Sequence, residues 1–234
     1  MEQVKQHFDA EAKIYDETII RLVPNYHEII RALADGIAFG IDANFAVLDI
    51  GCGTGTISRS IADKFPQATF TLLDIAPNMI EIAKHKMSNR PGTEFVLSDF
   101  THYGFPAGRF DVVVSSLALH HAETDNDKIN LYRRIFKSLR SGGQFLNADV
   151  MIAPTEHGNK LYLDRWIEFM RKSVSEDEIR NKWLVTYDEE DRPTTIANHL
   201  KWLEEVGFEC VDVLWKYFTG AVYGGVKPWI KAPF

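Results

Sequence analysis

The segment FAVLDIGCGTGTISRSIADKF, residues 45–65, restricts the fold of this chain more than any other stretch. An apolar, β-branched run stops at Asp49, glycines follow at 51, 53 and 55, and a helical pattern begins. A strand buried on both faces, a tight turn and a helix form the opening of a βαβ unit, whose strands pair in parallel and are covered by helices. The pattern then repeats. Residues 69–74, 94–98, 110–116 and 143–150 read as further strands. Residues 55–65, 77–87 and 125–140 read as helices between strands, the second with Pro77 at its start. Two helices, 3–18 and 25–38, precede the first strand, and a charged helical stretch, 155–190, follows the fifth. A helix over 194–208, ended by Gly207 as a left-handed cap, leads into two strands, ECVDVLWKY and GAVYGGVK, joined by a short turn. The expected organisation is an N-terminal helical lid (1–40), a core (41–150), a helical cap insertion (151–192) and a closing helix and antiparallel hairpin (193–234).

The glycine spacing narrows the ligand. G-x-G-x-G is not the dinucleotide fingerprint, which needs glycine where Thr56 stands, and no lysine between Asp49 and Lys64 makes a phosphate loop. Asp49 beside the turn would repel a pyrophosphate and attract an ammonium, while the helix start at Thr54–Thr56 offers N–H groups to a carboxylate. An amino-acid tail fits that polarity. Asp74 ends the next strand, where a carboxylate accepts from both hydroxyls of a ribose. Asp99 follows the third strand and can accept from an adenine amino group while Ile75 or Phe100 packs on the ring. Tail, ribose and adenine, in strand order, describe S-adenosylmethionine.

VLDIGCGTG, LLDIAPNMIEIAK, SDF and FDVVVSSLALHH resemble, in order, the motifs of class I S-adenosylmethionine-dependent methyltransferases over roughly residues 45–150. The resemblance implies a Rossmann-like α/β seven-stranded sheet with the last strand antiparallel and helices on both faces. It also implies Asp49, Gly51, Gly53, Gly55, Asp74 and Asp99 as cofactor contacts, with S-adenosyl-L-methionine the cofactor. FDAEAKIYDETIIRLVPNY and LWKYFTG look like a subset that includes carboxy-S-adenosylmethionine synthases; where those place a carboxylate-holding arginine, this chain has Lys201 or Trp202.

Methyl transfer is an in-line displacement from a sulfonium with a good leaving group, so a protein chiefly aligns the acceptor and excludes water. A base is needed only for a protonated acceptor, and a histidine poised near neutrality suits that role. His120 and His121, at the end of the fourth strand, are the candidates. Tyr15 and Tyr26 are candidates to face the sulfonium. Trp166, Trp183 and Tyr187 are candidates for an acceptor pocket, and Cys52 reads as a small space-filler. The Asn/Asp-Pro-Pro-Tyr/Phe signature of DNA and protein amino-methylating enzymes is missing, SSLALHH standing in its place, which points to a small-molecule acceptor. A net charge of −7 argues against a nucleic-acid partner. Two cysteines and no Cys/His metal spacing give no expectation of a metal. No apolar run is long enough to span a bilayer, and a cytoplasmic setting is the expectation. Oligomeric state is open, with a homodimer one option. A nicotinamide oxidoreductase and a non-catalytic cofactor sensor are the rival readings.

Overall fold

A computed structural model describes residues 1–229. The end of the expected closing segment, residues 230–234, lies outside them. In chain order the elements begin with α1 (Glu2–Glu11), α2 (Tyr15–Leu22), α3 (Tyr26–Asp35), β1 (Ala46–Ile50), α4 (Thr56–Lys64) and β2 (Thr69–Asp74). Then come α5 (Pro77–Lys86), β3 (Glu94–Leu97), β4 (Phe110–Ser116), α6 (Asp125–Ser138), β5 (Leu139–Ile152) and α7 (Glu156–Met170). The last are α8 (Glu176–Glu178), α9 (Leu184–Glu190), β6 (Thr194–Thr195), α10 (Ile196–Val206), β7 (Glu209–Tyr217) and β8 (Gly220–Val226).

The sheet order is β3-β2-β1-β4-β5-β8-β7, with the two-residue β6 pairing off this path to the end of β5. β1 to β5 pair in parallel, and β8 runs antiparallel to both β5 and β7, as the resemblance implies. Alternation along the strands sends side chains to two cores. Val47, Val112 and Val114 pack with α3 and α4, whereas Leu48, Val113 and Phe145 pack with α6 and α10. Near-continuous apolar strands are required because both faces are covered.

Three boundaries differ from the sequence reading. The expected helix 3–18 is broken by a 3-10 turn at Ala12–Ile14, which swings α2 away from α1 so that each meets a different surface. Ala12 joins Ala76 and Met79 under α1, while Leu22 of α2 joins Met170, Val174, Ile179 and Trp183 of the later helices. β5 is longer than expected and begins at Leu139, where pairing to β4 takes over residues read as helix. The stretch 155–190 is α7, then α8, a π-helical turn at Ile179–Trp183, and α9.

Candidate functional site

The carboxyl ends of β1, β2 and β4 meet at one edge, and the glycine turn is shaped by what surrounds it. The N–H groups of Gly51 and Cys52 both donate to the carbonyl of Leu73, at 2.8 and 3.0 Å, folding the end of β1 over β2. Gly51 adopts φ +66°, and a Cβ there would lie 2.3 Å from the Ala118 Cβ. Gly55, at φ +80°, is held close to α5, where a Cβ would meet Ala83 at 3.2 Å. Both are therefore restricted to glycine, for backbone handedness and for close approach. Gly53, also left-handed at φ +52°, has room for a Cβ, which would meet Tyr15 at 3.9 Å, and donates its N–H to Asp74 Oδ2 at 2.8 Å.

Asp49 is almost fully buried. Its Oδ2 accepts from Ser58 Oγ at 2.6 Å, while Oδ1 has no partner among the described residues. Burial, with the Asp74 charge adding to it against the Ser58 hydrogen bond, pushes its carboxyl up to about 7. A buried carboxylate oxygen with no donor is costly in a folded chain. A narrow cavity of about 20 Å³ lies there, lined by Tyr15, Tyr26, Asp49, Gly51, Gly53 and Thr54, among others. It runs into a second of about 50 Å³, bounded by Gly51, Gly53, Asp74, Ile75, Phe100 and the Met1, Val4 and Phe8 face of α1. Asp74 is buried, which raises its carboxyl pKa against the hydrogen bonds from the Ala76 and Gly53 N–H groups.

The predicted residues do not all converge. Asp49, Gly51, Gly53, Asp74, Ile75, Phe100, Tyr15 and Tyr26 line this cleft. Gly55 serves helix packing behind it. Asp99 lies at the wall of a wide open groove outside, its Oδ1 accepting from the Thr101 N–H and hydroxyl at 2.7 and 2.6 Å. The start of α4, read as a carboxylate site, does receive a carboxylate, but from the chain itself. Thr54 and Thr56 hydroxyls donate to Asp16 Oδ1 at 2.6 and 3.1 Å, and Lys86 Nζ donates to Asp16 Oδ2 at 2.7 Å. Burial raises the Cys52 thiol well above its usual range, which fits a space-filler and not a nucleophile. Trp202 is packed in the core beside His199, and Lys201 is exposed; neither lines these cavities.

A third cavity, about 130 Å³, adjoins the cleft. It shares Phe8, Tyr15, Leu117 and His121 with it and continues between α1, α2, α7 and α9. Trp166, Trp183 and Tyr187 stand in its wall as expected. No lysine or arginine among the described residues lines it, but Glu11, Glu190 and Asp191 do. His120 is clamped between two carboxylates: Nδ1 bonds to Asp149 Oδ1, and Nε2 lies 3.3 Å from Asp191 Oδ1. Burial opposes its charge, but Asp191 and Asp149 prevail and push its pKa up to about 10. His121 moves the other way, to about 4, through burial and then the charge of His120. Its Nδ1 donates to the Glu190 carbonyl at 3.2 Å, and its buried Nε2 has no partner among the described residues. Neither histidine is poised near neutrality.

Sequence reading missed Asp16, Asp149 and Asp191. Asn147 and Asp149 were the available signal, since polar side chains within a strand buried on both faces need a partner. Asp191, at the end of α9, carried none.

The fold and motifs have known counterparts. Residues 47–143 match the family described as methyltransferase domain. The chain is 29% identical over 199 residues to malonyl-[acyl-carrier protein] O-methyltransferase 1 of Ilyobacter polytropus, covering 84% of this chain and 65% of that protein, just under two thirds of its length. It is 26% identical over 223 residues to the carboxy-S-adenosyl-L-methionine synthase of Nautilia profundicola, covering 94% of each. Its fold is similar to an O-methyltransferase family 2 protein from Planctomyces limnophilus in complex with apigenin, with a TM-score of 0.66, 17% identity, and coverage of 94% of this chain and 61% of that one. No helix among the described residues is long and apolar enough to cross a membrane. With four motifs in order, this sheet topology and these relatives, residues 47–143 form a methyltransferase domain of the class I S-adenosylmethionine-dependent kind.

Proposed function

We propose that the enzyme transfers a methyl group from S-adenosylmethionine to a small-molecule acceptor held in the Trp166–Tyr187 cavity. One observation carries this reading: the glycine-turn cleft and the aromatic cavity meet at Phe8, Tyr15, Leu117 and His121. S-adenosylmethionine, when bound, supplies a methyl carbon on a positively charged sulfur. Asp49 Oδ1 would receive the ammonium of its amino-acid tail, and Asp74 the ribose hydroxyls. Ile75 and Phe100 would flank the adenine, and Asp99 would face its rim from the outer groove. Gly51 and Gly53 allow the backbone to approach the tail, and Gly55 keeps the turn in place. Tyr15 presents its ring where the two cavities join, suited to a sulfonium. His120 and His121 form the polar end of the acceptor cavity, where the atom to be methylated would lie.

The cleft segments, about 50 and 20 Å³, are far below the roughly 300–1,000 Å³ of ordinary ligand pockets. We therefore assign α1 and α2 to a lid that lifts to admit the cofactor and closes to exclude water. Asp16 on the Thr54, Thr56 and Lys86 groups, and His7 on Glu190 at 2.8 Å, are its fastenings. Residues 151–192 form the opposing cap, and residues 41–150 with the closing hairpin form the core.

The near-full-length likeness to a carboxy-S-adenosylmethionine synthase supports a second reading, with an anionic co-substrate. Three carboxylates in the acceptor cavity, with no lysine or arginine among the described residues that line it, weigh against it and against an acceptor carboxylate. A neutral or cationic acceptor bearing a hydroxyl or amine fits better. The test is release of S-adenosylhomocysteine with a panel of phenols, alcohols, amines and carboxylic acids. Turnover confined to the acids would reject this choice of acceptor. Absence of S-adenosylhomocysteine binding, or binding of NADH instead, would reject the cofactor cleft.

A further inference from the structure

We propose that His120, His121 and Asp191 form a site for a divalent transition-metal ion at the acceptor end of the cavity. Each of these side chains offers one ligand atom, and the three atoms lie within 4.8 Å of one another. His120 Nε2 is 3.3 Å from Asp191 Oδ1, and two ligands about 2.1 Å from a common ion at ordinary angles stand roughly 3.0–3.4 Å apart. Separations of up to 4.8 Å require the side chains to draw together by roughly 1–2 Å onto one ion.

Each histidine already has the outer partner that a metal-ligating imidazole uses. His120 donates Nδ1–H to Asp149, which leaves Nε2 directed at Asp191. His121 directs Nδ1–H at the Glu190 carbonyl, with that Nδ1 3.6 Å from Asp191 Oδ1, and its Nε2 has no partner among the described residues although the side chain is only 6% exposed. The two ligand segments are also tied through the backbone, the Arg192 N–H donating to the His120 carbonyl at 3.0 Å. Asp149 and Asp191 place two carboxylates against His120.

Two imidazoles and one carboxylate suit Fe²⁺, Mn²⁺, Co²⁺ or Zn²⁺ better than Mg²⁺ or Ca²⁺, which prefer all-oxygen sets. All three residues line the aromatic cavity, so the remaining coordination positions would face it. An acceptor hydroxyl or amine could occupy one of them, fixed beside the shared Tyr15 and Leu117 wall.

The experiment needs no acceptor and no turnover. The full chain is stripped with a chelator, and Co²⁺ is titrated while visible absorption and heat are followed. One equivalent per chain is expected, with d–d bands of nitrogen and oxygen ligation and no thiolate band from Cys52 or Cys210. Asp191→Asn and His121→Asn should each weaken Co²⁺ binding by at least a hundredfold. An unchanged circular dichroism spectrum and urea midpoint report that the variants are folded. Absence of Co²⁺, Mn²⁺ and Zn²⁺ binding to the unmodified chain at millimolar ion overturns the proposal, as does binding that persists unchanged in both variants.

Discussion

Replacing Asp49 by asparagine should stabilise the fold and damage the cofactor site, and the size of the first effect should depend on pH. The Asp49 carboxyl has an ordinary value of 3.8 when exposed and is pushed to about 7 in the fold, mainly by burial. Between those values the folded chain holds a proton that the unfolded chain has released, so stability falls as pH rises through this window. At about 1.4 kcal/mol per unit, the three-unit gap amounts to roughly 4 kcal/mol of stability that is lost above pH 7. Asparagine has the same shape, keeps an acceptor for Ser58 Oγ and carries no charge. Its amide N–H₂ replaces the unpartnered Oδ1 and costs about 1–3 kcal/mol as an unsatisfied donor. That cost is the same at every pH and cancels when the two proteins are compared at two pH values. Urea unfolding of both at pH 5 and pH 8 isolates the charge. The advantage of Asp49→Asn should be larger at pH 8 by roughly 3 kcal/mol. A difference under about 1 kcal/mol would mean that Asp49 is not ionised against burial at pH 8, and the argument for a cationic ligand would fail with it. The same proton competes with the ligand. S-adenosylhomocysteine affinity of the unmodified chain should fall about tenfold for each pH unit below 7. In Asp49→Asn that dependence should vanish together with most of the affinity.

Asp74→Ala removes the acceptor of the Gly53 and Ala76 N–H groups and should weaken S-adenosylhomocysteine binding by about 2–3 kcal/mol in calorimetry. Unchanged affinity would place Asp74 outside the site. Gly51→Ala forces a Cβ to within 2.3 Å of Ala118 at φ +66°, and denaturant unfolding should show a loss of about 2 kcal/mol or more. Gly53→Ala, which would meet only Tyr15 at 3.9 Å, should cost less stability and should still impair cofactor binding. Hydrogen exchange should slow across residues 8–26 on adding S-adenosylhomocysteine, more than in the sheet, and removal of residues 1–22 should abolish turnover; full activity in the shortened chain would refute the lid. Duplex DNA and tRNA should show no shift on gels at near-physiological salt, and a shift that weakens steeply with salt would reveal a local basic face.

What the sequence determined by itself was local. An apolar run ending at Asp49, glycines at 51, 53 and 55, and a helical pattern beyond them are consecutive, so backbone sterics and burial on both strand faces left few alternatives to a βαβ opening. Asp74, Ile75 and Phe100 could be placed at strand ends for the same reason, because parallel strands bring their carboxyl ends to one edge. Tertiary structure alone decided the partners. That Asp49 Oδ1 goes without a donor among the described residues depends on which side chains approach the carboxyl, and Ser58, which does, bonds to Oδ2. The break at Ala12–Ile14 arises because α1 must lie on α5 while α2 packs against Met170 and Ile179, a conflict that helical periodicity cannot record. His120 and His121 are neighbours with the same intrinsic basicity, yet one is driven up and the other down. Burial lowers both, and the charge of His120 lowers His121 further; His120 alone is driven up, by two carboxylates, Asp149 from the middle of a strand and Asp191 from the end of a distant helix, which only the folded chain brings to the same imidazole.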